Sequence, residues 1–210
     1  MEPVREYFNI NKKEYWEKKY SRMIDESRIR SDSHHLDKFM PFFSRSDVIL
    51  DFGSGLGGNI KYLSNKLDSK EFFIVEQSEV SINFMKTKLL GENDERGNQF
   101  HYSTEIKGIK DCSTDMIICI EVLEHITAYR EIIDSLWSKL KGGGVFLLSV
   151  PVKGIRDRNR EHVNKFTVSS MFRILTHYSD IVTISPRTYS KRSARLSTAY
   201  FLIEKASLLN

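Results

Sequence analysis

The sequence predicts an α/β fold built on a doubly wound, mostly parallel sheet, and three observations carry that prediction. Short apolar runs alternate with segments of helical period through most of the 210 residues. One run, Val48-Ile49-Leu50-Asp51, leads into a glycine turn, Gly53-Ser54-Gly55-Leu56-Gly57-Gly58, and a helical pattern opens at Asn59. Two later runs also end in acids, Glu71 to Glu76 and Asp115 to Glu121, which sets carboxylates where such sheets bind ligands.

Each element follows in order. Residues 11 to 28 read as a helix, because Trp16, Tyr20, Met23 and Ile24 fall on one face. That helix either caps the domain or forms a lid lined by Tyr15, Trp16 or Tyr20. Residues 29 to 38 read as a polar connection, with His34 and His35 on the surface. Residues 1–38 are thus an N-terminal helical lid, and residues 39–210 one ligand-binding domain. Beyond the glycine turn, Ile60, Leu63 and Leu67 mark a helix and Glu71 to Glu76 a strand. Ser78 is the expected cap of the next helix and Gly91 its stop, ahead of a hydrophilic, mobile loop to Asn98. Gln99 to Ser103 is a third strand and Asp115 to Glu121 a buried fourth. Ile132, Ile133, Leu136, Trp137 and Leu140 share a helix face that Gly142-Gly143-Gly144 ends, and Val145 to Val150 is a strand closed by Pro151. Val168, Met171, Phe172 and Leu175 mark a later helix. Ile181 to Ile184 and Ala199 to Ile203 close the chain as strands joined by a basic loop.

The composition excludes several classes. A hydrophobic fraction of 40% suits one globular α/β domain with a substantial core. No apolar run is long enough to span a bilayer, and Met1 to Glu6 opens no secretory signal, so a cytoplasmic, membrane-free protein is expected. Cys112 and Cys119 are too few for a disulfide framework or a cysteine zinc site. The net charge of +4 permits an anionic partner without requiring one.

The glycine turn is where chemistry concentrates. Glycines let backbone turn sharply and approach a ligand, and the helix start beyond them presents free N–H groups. Gly53, Gly55 and Gly58 satisfy G-x-G-x-x-G, the dinucleotide fingerprint, while Asp51, Gly53, Gly55 and Gly57 satisfy D-x-G-x-G-x-G. Glu76 stands roughly 20 residues further on, where a nucleotide fold places an acid for the ribose hydroxyls. A nicotinamide enzyme of this length would lack a substrate domain, and a purely structural glycine turn would not need Glu76.

D-x-G-x-G-x-G resembles the first motif of class I S-adenosylmethionine (SAM) methyltransferases. The resemblance extends over about residues 40 to 205, through Glu121-Val122-Leu123-Glu124-His125, the glycine triplet with its strand, and the terminal strand pair. Together with Arg160-Glu161-His162-Val163-Asn164-Lys165-Phe166-Thr167, these segments are similar to the small methyltransferases that modify quinone precursors, sugars and other metabolites. The resemblance implies a Rossmann-like fold and SAM as cofactor. It places Asp51 near the methionine part, Glu121 facing the methionine part or the acceptor, and the turn Gly53, Ser54, Gly55 and Gly57 beneath the ribose and amino acid. Glu76 falls on the ribose hydroxyls, with Gln77, Thr104 and Glu105 beside the adenine.

Methyl transfer needs a positioned acceptor and often a base, and His125 and His162 are the candidates. Glu121, Glu124 and His125 at i, i+3 and i+4 would converge on one side of a helical turn, with His162 completing a metal set. Mixed carboxylate and imidazole ligands suit Mn²⁺, Fe²⁺ or Zn²⁺ better than Mg²⁺. This set looks like the metal-dependent small-RNA 2′-O-methyltransferases, which carry Glu-x-x-Glu-His; the sequence departs from them at Asn164, where their downstream motif has histidine. Two basic loops, one with Lys153, Arg156, Arg158 and Arg160 and one with Arg187, Lys191, Arg192 and Arg195, point to an anionic acceptor. Arg156, Arg158, Tyr15 and Trp16 are the expected acceptor contacts. The leading reading is O-methylation of a small anionic metabolite, a phosphorylated or nucleotide-linked sugar or glycan precursor, by a monomer or homodimer. RNA 2′-O-methylation and a non-catalytic partner subunit are the alternatives; no aromatic stacking platform for RNA is visible.

Overall fold

A computed structural model describes residues 12–25, 33–187 and 198–207. The expected ends of the first helix, the polar connection at 29–32 and most of the second basic loop, Lys191, Arg192 and Arg195 included, lie outside the described residues. One seven-stranded sheet organises the chain, comprising β1 (Val48–Phe52), β2 (Glu71–Val75), β3 (Gln99–Ser103), β4 (Thr114–Ile120), β5 (Leu140–Pro151), β6 (Val182–Arg187) and β7 (Thr198–Glu204). Their order is β3-β2-β1-β4-β5-β7-β6. The first five are mutually parallel, and β7 inserts antiparallel between β5 and β6. From β1 the chain builds outward to one edge, then returns to lay β4 on the other side. Such a switch point opens a crevice at the strands' carboxyl ends.

The period of two along each strand splits the core into two layers. Leu50, Ile117, Phe146, Leu148 and Phe201 face α5 (Tyr129–Lys139) and α6 (Val168–Leu175), where Ile133, Leu136, Met171 and Leu175 pack. Ile49, Phe72, Ile118, Leu147 and Leu202 face the opposite way. They meet Phe43 from α2 (Met40–Arg45), Ile60 and Leu63 from α3 (Gly58–Ser64), and Met85 just after α4 (Glu79–Phe84). The N-terminal α1 (Lys13–Asp25) buries only Trp16 and lies across the carboxyl end of the sheet.

Three local expectations are corrected. The glycine triplet does not end a helix: α5 stops at Lys139 and Leu140 already opens β5, pairing with Thr114. The next pair is Met116 with Val145, so the triplet forms a bulge, with Gly143 at φ +77° donating to the Lys205 carbonyl. The loop from Gly91 to Asn98 is tied down, not loose: Asn98 is fully buried and its amide reaches the Ser64 and Leu67 carbonyls at 3.2 and 3.0 Å. Of the adjacent histidines, His34 is exposed as expected, whereas His35 is half-buried and stacks on Tyr200 at 5.6 Å.

Candidate functional site

A cavity of about 480 Å³ occupies the crevice at the switch point. Its floor comes from the strand ends: Phe52 and Gly53 after β1, Val75 and Glu76 after β2, Glu121 and Val122 after β4. Gln77 and Thr104 form one wall, and His125, Ile126 and Ile132 the other. Trp16, Lys19, Tyr20 and Met23 of α1 close the top. The face that sequence periodicity marks on α1 is therefore the face over the cavity.

The glycine turn has the shape its composition requires. Gly53, Gly55 and Gly57 sit at φ +73°, +55° and +80°, a region that side chains with a Cβ rarely enter. A Cβ on Gly53 would lie 2.5 Å from Val122 Cγ2, and one on Gly57 2.7 Å from Met85 Sδ. The Gly53 and Ser54 amides donate to the Val75 carbonyl at 2.8 and 3.3 Å, which fixes the turn to β2.

Glu76 is buried where the turn meets β2. Its Oε2 accepts from the Gly55 amide at 2.9 Å and its Oε1 from the Ser78 amide at 3.1 Å. Burial raises its pKa against the pull of these backbone donors. Asp51 is 1% exposed and its Oδ2 has no hydrogen-bond partner. Burial pushes its pKa up to about 7, with the Ser54 contact opposing and Glu76 reinforcing the shift. A buried carboxylate oxygen without a donor is costly in a closed protein and suits a cationic or hydrogen-bonding ligand. Glu121 adopts φ +57°, a strained value for a non-glycine residue, as β4 turns into the cavity wall; its Oε1 accepts from Ser149 Oγ at 3.2 Å.

The lid is anchored on two sides. Glu17 receives the Glu79 and Val80 amides at 2.8 and 3.0 Å and the Ser78 hydroxyl at 2.7 Å, so α1 supplies the acceptor at the start of α4. On the other side, Glu161 takes Lys19 Nζ at 2.7 Å and the Tyr15 hydroxyl. Tyr20 is half-buried, and its hydroxyl lies 3.5 Å from where a Gly55 Cβ would stand.

His125 lines the cavity edge-on to Trp16, with ring centroids 5.1 Å apart. Its Nδ1 lies 2.9 Å from the Glu161 carbonyl, which can only accept; Nδ1 therefore carries the proton and Nε2 the lone pair. Burial lowers its pKa, opposed by that carbonyl and reinforced by His162 and Lys19. His162 does not line the cavity. It sits behind His125, at a centroid distance of 5.0 Å, with Nδ1 on Asp157 Oδ2 at 2.6 Å and Nε2 on Asn159 at 2.8 Å.

The remaining expected residues divide. Gly53, Glu76, Gln77, Thr104, Glu121, His125 and Trp16 all line the cavity, whereas Glu105 is exposed and outside it. Tyr15 serves the lid anchor instead of the cavity wall. Arg156 and Arg158 are exposed and line no part of it, because the loop turns Asp157 inward to His162 and its two neighbours outward. Among the proposed metal ligands, Glu124, His125 and His162 offer atoms within 4.8 Å of one another, and Glu121 lies outside that set. Its positive φ breaks the continuous helix that the i, i+3, i+4 spacing assumed. Lys19, Met23, Val122, Ile126 and Ile132 were not anticipated as walls, nor Glu17 and Glu161 as anchors. The only sequence signal for any of them was the helical phase that groups Met23 with Trp16 and Tyr20.

Comparison with known proteins agrees with this geometry. Residues 50–146 match the family described as "Methyltransferase domain". No curated protein matches the sequence. Among solved structures, the 1,6-didemethyltoxoflavin-N1-methyltransferase of Burkholderia thailandensis, bound to 1,6-didemethyltoxoflavin and S-adenosylhomocysteine, superposes with a TM-score of 0.69 at 14% identity, over 99% of this chain and 92% of that one. A SAM-dependent methyltransferase from Archaeoglobus fulgidus gives 0.62 at 16% identity, over 91% and 98%. The CurJ carbon methyltransferase gives 0.64 at 17% identity over 78% of this chain, which spans only 50% of that protein. The solved structures establish the class I methyltransferase fold. The family match spans the glycine turn and the β4 to β5 segment of that fold.

Proposed function

We propose that the protein methylates an oxygen of a small anionic metabolite, acting in the cytoplasm as a monomer or homodimer. One observation carries the reading: Gly53 of the glycine turn, Glu76 and the neutral base His125 all line one lidded cavity. The residues fit SAM, since the positive-φ glycines leave a bare backbone cradle and Asp51 keeps an unpartnered oxygen. Glu76 and Gln77 would hold the adenosine end, with Thr104 near the adenine. Asp51, Glu121 and the turn would hold the amino-acid end. Bound there, SAM supplies an activated methyl group on a sulfonium.

The chain's own contribution is positioning and proton control. Nδ1 of His125 is held by the Glu161 carbonyl, so Nε2 is free of a proton and able to accept one from an acceptor hydroxyl. Burial keeps the ring neutral at neutral pH. Asp157 orients His162 behind it. Trp16, Tyr20 and Met23 exclude water from above. Calorimetric titration with S-adenosylhomocysteine tests the cofactor site: near-stoichiometric binding lost in Glu76→Ala supports it, and absence of binding by folded protein refutes it.

Glu124 favours a second reading, a metal-dependent reaction that extends to RNA 2′-O-methylation. Both its oxygens are buried without a hydrogen-bond partner beside His125 and His162. Burial, with Glu121 and Asp157 nearby, pushes its pKa up to about 9. A divalent ion held by Glu124, His125 and His162, Mn²⁺ being the best match and Mg²⁺ a weaker one, would polarise an acceptor hydroxyl. Metal analysis of protein purified without chelator, and melting with and without Mn²⁺, decides it; no bound metal and no shift would exclude this reading.

A further inference from the structure

A second cavity, of about 560 Å³, opens between the first turn of α5, the segment Val163–Phe166 and α6. It shares no lining residue with the cofactor cavity. Asn164 joins the two: it lines the groove while its amide donates to the Leu123 and Ile126 carbonyls at 2.8 and 2.7 Å, and Ile126 lines the cofactor cavity.

The groove's chemistry is one-sided. Arg130, Lys165 and Arg173 line it with His177, and no carboxylate does. All three cations are exposed, and none makes an ion pair among the described residues. Elsewhere on the surface, Lys66, Lys86 and Arg96 each pair with an acid. Arg130 is held in the wall, its guanidinium over the Tyr129 ring at 5.5 Å, and Tyr129 is itself fixed edge-on to Phe166 at 5.2 Å. Three neutral polar side chains are engaged with backbone, Asn164 with the two carbonyls, Ser170 Oγ with Thr167 and His177 Nδ1 with the Arg173 carbonyl. The groove's fixed charge comes from two guanidinium groups and one ammonium. Such a set repels itself when empty and matches a compact polyanion. Arginine grips a tetrahedral oxyanion with two parallel donors, and a single carboxylate would neutralise only one of the three charges.

We propose that this groove binds the phosphate or pyrophosphate group of a small molecule. That group belongs either to the acceptor itself, which would deepen the reading of an anionic acceptor, or to a separate phosphorylated ligand.

The probe is inorganic pyrophosphate, titrated calorimetrically at low salt into the full chain without SAM, so the result stands apart from the methyltransferase chemistry. The expected result is one saturable site. Arg130→Gln with Arg173→Gln should weaken it about tenfold or more, and Lys165→Gln should weaken it in the same direction. Lys88→Gln with Lys107→Gln removes equal charge from exposed positions outside the groove and should leave binding within about twofold. Unchanged melting of the groove variants separates lost binding from lost fold. Phosphorylated small molecules that displace pyrophosphate are then offered labelled SAM. Methylation of a competitor identifies the acceptor as the source of the phosphate; competition without methylation identifies a separate ligand. No pyrophosphate binding, equal weakening in the control pair, or displacement by RNA alone would overturn the proposal.

Discussion

Replacing Glu76 by glutamine preserves size while changing one oxygen into an NH₂ group. In the structure both carboxylate oxygens already receive backbone donors, Gly55 at 2.9 Å and Ser78 at 3.1 Å. Whichever way the amide turns, its NH₂ faces one of these N–H groups, donor against donor. The glycine turn or the start of α4 must then shift, and the ribose hydroxyls lose an acceptor. A hydrogen bond to a charged group contributes about 1.5–3 kcal/mol, so S-adenosylhomocysteine should bind about 10- to 100-fold more weakly. Calorimetry on parent and Glu76→Gln, with melting curves to confirm the fold, reads this directly. Affinities within twofold of each other in two equally folded proteins would refute the assignment of Glu76 to the cofactor.

Four further outcomes are expected. Gly53→Ala should cost about 2–4 kcal/mol, since its Cβ meets Val122 at 2.5 Å at a positive φ, whereas Gly108→Ala, with nothing within 4 Å, should leave the melting temperature almost unchanged. His125→Asn should lower kcat by about 10²–10⁴, and the parent's rate should rise with pH through an inflection below 6.5, because burial lowers the pKa of the base. Asp51 holds its proton more tightly folded, up to about pH 7, than unfolded near 3.8. The folded state therefore binds more protons across that window, and this residue's contribution to stability falls as pH rises through it, by about 4 kcal/mol in all. Denaturant titrations of Asp51→Asn should show that component of the pH dependence removed. Glu161→Gln weakens the anchor at Lys19 and Tyr15, so hydrogen exchange in α1 should accelerate while β4 stays protected.

Legibility in the sequence followed sequence distance. The glycine turn and Glu76 could be read because a tight turn and a nearby strand-end acid demand particular residue types at short, fixed spacing. The alternation of strands and helices was legible for the same reason. The lid's anchors were not, since Tyr15 meets Glu161 across 146 positions and Glu17 meets Val80 across 63. No local pattern announces a carboxylate that completes another element's cap. The metal set was half legible: spacing brought Glu124 and His125 together, but a positive φ at Glu121 removed the helix that the spacing assumed. Arg156 and Arg158 were read as one basic loop, and only the inward turn of Asp157 shows that both point away from the cavity. The unpaired cations of the second groove come from three separate segments, so charge runs along the chain did not reveal them.

A crystal structure with S-adenosylhomocysteine tests the central claim most directly. The account predicts the ligand beneath α1 in the cavity at the ends of β1, β2 and β4, its ribose hydroxyls on Glu76 and its amino-acid end over the turn from Gly53 to Gly57. Ligand density elsewhere, or a ribose out of reach of Glu76, would contradict it.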